Sequence, residues 1–320
     1  MSRKTAAILM ATFNGQEYIK EQIDSIISQT YEDWDLYIRD DGSKDETLNI
    51  IKEYEKQDSR IHILSYPSKN HGACLNFYHL LRAAKTVVPV HDFYFLSDQD
   101  DIWENNKIEL EIQACDVGGT PYVLVYSDLS LMSTDGSIFN GRMSDHQDIN
   151  LRNPNDIFFN QIFVWGNTIC INRALLEFMN IPDDISNSLS HDHYLAFYAV
   201  AYGKAIYIDK PLVRYRRHED NVSGLPARYN FFSAAKRMFK KKDEIIIGHA
   251  QNYNNVLYFI KHAPNRTAVM DDIYSALLNG GNRALHIIKK YNINPGCNYY
   301  NALINMFILY SRIYIQYMKK

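Results

Sequence analysis

Phe93-Tyr94-Phe95-Leu96-Ser97-Asp98-Gln99-Asp100-Asp101-Ile102-Trp103 is the stretch whose reading decides the fold. Four large apolar residues run without alternation into a block of carboxylates. A short continuous apolar run of this kind reads as a strand buried on both faces, the pattern of a parallel sheet. The polar block that follows marks the strand's carboxyl end, and residues 103–115 read as a helix. The same grammar occurs twice earlier. Residues 6–13 are apolar up to Asn14, and Leu36-Tyr37-Ile38 leads into Asp40-Asp41-Gly42-Ser43. Between these runs, Tyr18, Ile19, Ile23, Ile26 and Ile27 recur at helical spacing within residues 16–29, and residues 45–56 and 73–84 predict two more helices around a strand at 61–64. Strand alternating with helix predicts an α/β domain, a mostly parallel sheet with helices on both faces. Residues 123–126, 163–172 and 205–216 read as further strands, with a helix at 191–202. Residues 126–160, rich in Asp, Asn and Ser, read as loops over the sheet.

The 320 residues carry 34 Lys and Arg against 37 Asp and Glu, a net charge of −3. That total hides a split: residues 1–224 hold 20 basic and 33 acidic side chains, net −13, and residues 225–320 hold 14 and 4, net +10. The chain is therefore divided at 224 into an acidic α/β domain and a basic, aromatic-rich helical extension. A hydrophobic content of 46% excludes disorder. No apolar stretch approaches the roughly 18–20 residues that span a bilayer, and residues 5–10 read as a strand, not a signal peptide. Cys74, Cys115, Cys170 and Cys297 are widely spaced with no CxxC pattern, which points to free thiols of a reducing compartment, hence the cytoplasm.

Ligands of open parallel sheets bind beyond the carboxyl ends of the strands, and there the polar clusters fall. Carboxylates crowded on one rim repel, and are tolerated where a divalent cation or a set of donors sits among them. Neither GxGxxG nor GxxxxGK[ST] is present, which speaks against a dehydrogenase and a P-loop NTPase. Charge neutralisation of a bound diphosphate then falls to a metal, Mg²⁺ or Mn²⁺.

The segments ATFNGQEYI, QTYEDWDLYIRDDGSKDET, FYFLSDQDDIW and SHDHYLAFYAVAYGKAIYIDKPLVRYRRHEDNVSG resemble, in order and spacing, the family 2 glycosyltransferases. The resemblance is strongest to rhamnosyltransferase-like members that build bacterial surface polysaccharides. It covers residues 5–224 and implies a GT-A fold, a nucleotide-diphosphate sugar donor, a divalent metal and inversion at the anomeric carbon. Carried over residue by residue, it assigns Ala11, Thr12, Phe13 and Asn14 to the base and ribose, and Asp41, with Asp40 beside it, to the base. Asp98 falls on the ribose or diphosphate, Asp100 on the metal with His218 as a further ligand, and Asp192 where the family has its general base. Arg216, Arg217 or His218 would face the diphosphate, and Trp165 and Gly166 the acceptor. Ala11 replaces a hydroxyl residue of some relatives. An acceptor hydroxyl needs such a base to attack.

The reading is thus an inverting glycosyltransferase that moves a sugar, L-rhamnose from its dTDP donor being one choice and UDP-hexoses another, onto a lipid-linked glycan. The competing reading is a catalytically silent nucleotide-sugar-binding scaffold that recruits partners through its tail. Nucleic acid is not an expected partner, and self-association stays open. In the tail, Asn301, Asn305, Arg312, Gln316 and Lys319 share one stripe of an otherwise apolar helix. That helix could pack on the domain, on a twin subunit, or on the inner face of the plasma membrane as a peripheral anchor.

Overall fold

A computed structural model describes residues 3–64, 72–117, 119–151, 153–160, 164–218, 241–296 and 299–318. The chain divides into two compact units. One comprises Met1–Ser144 and Val164–Ser223, the other Asp145–Phe163 and Gly224–Lys320.

The first unit opens as a strand–helix alternation. Its elements are β1 (Ala6–Thr12), α1 (Ile19–Ile27), β2 (Trp34–Asp40), α2 (Thr47–Gln57), β3 (Ile61–Ile63), α3 (Ala73–Thr86) and β4 (Phe93–Ser97). There follow β5 (Ile102–Trp103), α4 (Lys107–Asp116), β6 (Val123–Met132), β7 (Ile138–Arg142), β8 (Ile169–Asn172), α5 (Arg173–Phe178), α6 (His191–Tyr202) and β9 (Lys204–Arg216). The sheet order is β3-β2-β1-β4-β8-β6-β9-β5, with β7 paired to β6 off this path. Strands β3, β2, β1 and β4 are parallel, and every residue of β1 is buried, as an unalternated apolar run requires. Because β2 and β4 lie on opposite sides of β1, the strand order reverses there, and a crevice opens beyond the strand ends.

The sheet is mixed, which corrects the expectation of a mostly parallel one. β8 runs antiparallel between β4 and β6, and β5 runs antiparallel to β9. β8 is the four-residue run Ile-Cys-Ile-Asn, buried except at its end, so nothing in its pattern signals direction. Residues 102–103 form a strand of the sheet, so Trp103, read as the start of a helix, is not in one, and α4 begins at Lys107. Residues 126–142, read as loops, hold most of β6 and all of β7, a bulged antiparallel pair. Residues 166–168 form a 3-10 turn ahead of β8, and residue 163 lies outside the described residues.

The second unit contains α7 (Lys242–His262), α8 (Ala268–Asn279), α9 (Gly281–Lys290) and α10 (Tyr299–Ser311). Residues 145–160, expected over the sheet, are hydrogen-bonded into this helical unit. Asn153 donates its amide to the carbonyls of Tyr291 (2.9 Å) and Asn292 (2.7 Å). Asn160 donates to Asn294 O, and Asp156 accepts from Asn294 N, both at 2.7 Å. The Asn and Asp of this stretch thus close backbone groups of a helix–helix connection. Among the described residues no helix is long and apolar enough to cross a membrane. The boundary at 224 lies outside the described residues.

The core of the first unit holds a fully buried ion pair. Lys107 Nζ donates to both Glu111 carboxylate oxygens at 2.8 Å, with both side chains at 0% exposure, and lies 4.5 Å from the Trp103 ring centroid. Breaking such a pair leaves an uncompensated charge, whereas replacing both partners with apolar groups does not. Lys107→Met is therefore expected to lower unfolding stability by about 3–5 kcal/mol. Lys107→Met/Glu111→Leu should recover most of that loss, as read by urea denaturation.

Candidate active site

The register of the parallel strands levels their carboxyl ends. Thr12 pairs with Asp40 and Met10 with Ser97, so residues 11–14, 40–43 and 98–101 emerge side by side. Asn14 turns the chain with φ +48°. Its N–H donates to Ser43 Oγ (2.8 Å) and its side-chain oxygen accepts from Lys44 N (2.9 Å). Gln99 clamps the other side: Phe13 N donates to its Oε1 and its Nε2 donates to Phe13 O, both at 2.9 Å. A Cβ on residue 15 would lie 2.2 Å from that Oε1, so any side chain there would displace the Gln99 amide.

The acidic residues divide by what they bind. Asp40 accepts from Thr12 Oγ1 (2.9 Å), Ser43 Oγ (2.5 Å), Gly42 N (3.1 Å) and Ser43 N (2.8 Å), so it organises the turn. Asp41 is buried; Arg39 Nη1 donates to it at 2.8 Å and Gly72 N at 3.0 Å. Arg39 also donates to Asn76 Oδ1 (2.6 Å), tying α3 beneath both strand ends. Asp101 is fully buried and accepts from Asn167 Nδ2 (2.5 Å) and Arg216 N (3.1 Å). Burial, then the charges of Asp100 and Asp98, hold its carboxyl well above the usual carboxylate range. Asp100 Oδ2 lies 2.8 Å from His218 Nε2.

Asp98 is different. Among the described residues no donor reaches its carboxylate. Burial, with Asp100 and Asp192 nearby, pushes it up to about 7. Asp192 stands in the first turn of α6, where the helix dipole favours a carboxylate. It accepts from Ser190 Oγ and from His193 N (2.6 Å).

A cleft of about 670 Å³ opens at this rim, lined among others by Asn14, Tyr18, Gln99, Asp100, Arg217 and His218. Of the residues singled out by sequence, Asn14, Asp100, Arg217 and His218 share this cleft. Ala11, Thr12 and Asp41 are buried beside it, Phe13 is exposed, and Asp98 is close enough to Asp192 to feel its charge. Half-buried Trp165 and Gly166 stand apart from the cleft, next to His191.

Arg216, one of three candidate diphosphate cations, is spent internally. Its guanidinium donates to Asp100 O (2.9 Å), Thr134 O (2.9 Å) and Glu21 Oε2 (2.6 Å), and lies 4.5 Å from the Tyr18 ring centroid. It braces the backbone that carries Asp100. Sequence reasoning also missed Gln99 and His191. The Gln99 amide sits inside the acidic motif, but nothing in its spacing shows a clamp.

Among the described residues no cluster of three His, Cys, Asp or Glu side chains could hold an ion. Mg²⁺ needs fewer, because it uses one or two protein ligands plus phosphate oxygens and water. Octahedral bonds of about 2.1 Å put neighbouring ligand atoms about 3 Å apart, and Asp100 Oδ2 and His218 Nε2 meet that spacing. This pair fits a divalent metal completed by a diphosphate.

The family model described as glycosyl transferase family 2 matches residues 7–177. A dTDP-rhamnosyl transferase, RfbG of Shigella flexneri, is 30% identical over 253 residues, 75% of this chain and 84% of that protein. The crystal structure of S. aureus TarS 1–349 with UDP-GlcNAc is similar in fold, with a TM-score of 0.55 at 17% identity, covering 88% of this chain and 73% of that one. So is mannosyltransferase PcManGT of Pyrobaculum calidifontis with GDP-Man and Mn²⁺, with a TM-score of 0.51 at 15% identity, covering 97% and 88%.

His191 generates two tests. Its ring stacks on Phe77 at 4.1 Å between centroids, and among the described residues neither buried ring nitrogen has a hydrogen-bond partner. A Cβ on residue 166 would lie 2.6 Å from Nε2. Gly166→Ala is expected to cost about 1–3 kcal/mol of stability, and His191→Ala should absorb most of that cost in a double-mutant cycle. Burial also lowers the imidazole from 6.5 to about 4. The unfolded chain then binds the proton more readily, so stability is intact above about pH 6.5 and falls as pH drops toward 4. His191→Gln should flatten that slope in pH-dependent thermal denaturation relative to the wild type.

Proposed function

Because the chain belongs to glycosyl transferase family 2, we propose that it moves a sugar with inversion from a nucleotide-diphosphate donor to a hydroxyl of a lipid-linked surface glycan. The observation that carries this reading is the strand-end rim, where Asp98, Asp100 and His218 gather with Asp192 close by. The similarity to a dTDP-rhamnosyl transferase supports dTDP-L-rhamnose as the donor. In this reading the GT-A-like catalytic domain is residues 1–224, and residues 225–320 are an extension that keeps a cytoplasmic enzyme peripheral to the inner face of the plasma membrane.

The roles follow from what each side chain has left to give. Asn14 and exposed Phe13 contact the base and ribose, with Thr12 and Ala11 forming the floor. Asp41, set by Arg39, faces the base, and Asp40 shapes the turn around it. Asp98, with no donor among the described residues, takes the ribose hydroxyls or the diphosphate edge. Asp100 and His218 are the residues that would hold Mg²⁺ or Mn²⁺, which would supply charge neutralisation for the diphosphate. Arg217 adds a cation on the same cleft wall.

Asp192 Oδ accepts the acceptor's hydroxyl proton as that oxygen attacks the anomeric carbon. The new C–O bond forms on the face opposite the departing diphosphate, and the electron pair of the broken bond leaves with it. Trp165 and Gly166 border the acceptor. Pre-set cations in a half-buried cleft stabilise the developing charge without reorganising.

The test is nucleotide release from dTDP-rhamnose and UDP-hexoses with Mg²⁺ or Mn²⁺. Asp192→Asn and Asp100→Ala are each expected to lower kcat by about 10²–10⁴-fold with little change in melting temperature, and chelation should abolish turnover reversibly. Wild-type rates in either variant would overturn the assignment.

A further inference from the structure

Helix α10 is built inside out. An amphipathic helix ordinarily buries its apolar stripe and leaves polar residues to water. Here the polar residue faces inward. Asn305 is 1% exposed, donates to Phe159 O (2.9 Å) and Pro295 O (2.5 Å), and accepts from Tyr253 OH. Ile308 and Leu309 are buried with it. Tyr299, Leu303, Phe307 and Tyr310 are the outward residues, at 72%, 45%, 55% and 54% exposure.

At 100° per residue these four fall within about 80° of arc, opposite Asn305. Along the axis they read Tyr, Leu, Phe, Tyr over about 16 Å. Single exposed apolar residues are ordinary; four on one face of one helix mark an interaction surface. A tyrosine at each end and the two purely apolar side chains between them suit a lipid interface, where the rings enter and the hydroxyls stay at headgroup level.

Charge selects the occupant. No Asp or Glu follows Asp272, while Arg283, Lys289, Lys290, Arg312, Lys319 and Lys320 do, six basic residues against none. Lys290 spends its charge on Asp272 at 2.6 Å. A second copy docked here would set one cationic segment against another, which is unfavourable. Anionic lipid attracts the same charges.

We propose that the Tyr299, Leu303, Phe307 and Tyr310 face of α10 docks on an anionic bilayer surface. This deepens the placement of the enzyme beside a lipid-borne acceptor, but the docking itself stands independently of the reaction.

The test is sedimentation of the full chain with phosphatidylcholine vesicles, with and without phosphatidylglycerol. Wild type should bind the phosphatidylglycerol vesicles and release in high salt. Leu303→Ser/Phe307→Ser should bind roughly tenfold or more weakly, with donor hydrolysis in solution unchanged. Phe307→Trp should blue-shift in emission on those vesicles. The exposed positions keep these variants folded, as circular dichroism checks. Equal binding by wild type and the serine variant, equal binding to both vesicle types, or no binding at all would overturn the proposal. A wild-type dimer in sedimentation equilibrium that the serine pair dissociates would also overturn it, assigning the face to a second copy. Vesicle binding without any donor hydrolysis would uphold docking and sink the glycosyltransferase reading.

Discussion

Carboxylate crowding at the carboxyl ends of β2 and β4, on either side of β1, is the constraint around which the first unit is built. Five Asp side chains share one rim, and like charges at such range must be paired, protonated or shared with a cation. The protein compensates four of them internally and differently. Asp40 takes turn N–H groups and hydroxyls, Asp41 a buried guanidinium, Asp101 an amide with a backbone N–H, and Asp100 an imidazole. Asp98 is left without a donor among the described residues. The uncompensated carboxylate is the one to which the proposed function gives a donor hydroxyl or the diphosphate edge.

The struts beneath the rim explain how so polar an edge stays in register. Arg39 and Asn76 join β2, α3 and the end of β1 through a buried network, since Asn76 Nδ2 also donates to Arg39 O (3.2 Å). Arg216 does the same on the other flank, reaching from β9 to the backbone of Asp100 and to Glu21 beyond α1's start. These two arginines fix the positions of Asp41 and of the Asp100 backbone.

Much of this was legible in the sequence. Apolar runs ending in Asn14, Asp40-Asp41 and Asp98-Gln99-Asp100-Asp101 located three strand ends, because an unalternated buried strand must stop where charge begins. The parallel half of the sheet followed. The antiparallel half did not, since Ile169–Asn172 is buried and too short to carry a periodic signal, and Ile102–Trp103 joins the sheet only through β9. Candidate ligands were legible by type, but their availability was not: Arg216 and Arg217 are adjacent and chemically identical, and only the fold commits the first to Asp100 O and Thr134 O. His191 carries no signal in the sequence beyond its place at the start of a helix, and its stacking on Phe77 is visible only in the fold.

The C-terminal helices show the same limit in reverse. The polar stripe through Asn301, Asn305 and Arg312 reads as the solvated face, because hydropathy assigns polar residues to water. That inference fails wherever a polar side chain is needed to close buried backbone groups. Phe159 O and Pro295 O are such groups, and the Asn305 amide is the donor that reaches both. Once Asn305 is committed inward, helical geometry leaves no choice about the opposite arc, and Tyr299, Leu303, Phe307 and Tyr310 must face out. The outward aromatic face is thus a consequence of satisfying two carbonyls in the core of the helical unit. In the docking proposal, the cationic composition of the segment beyond Asp272 is what favours an anionic surface over a second copy.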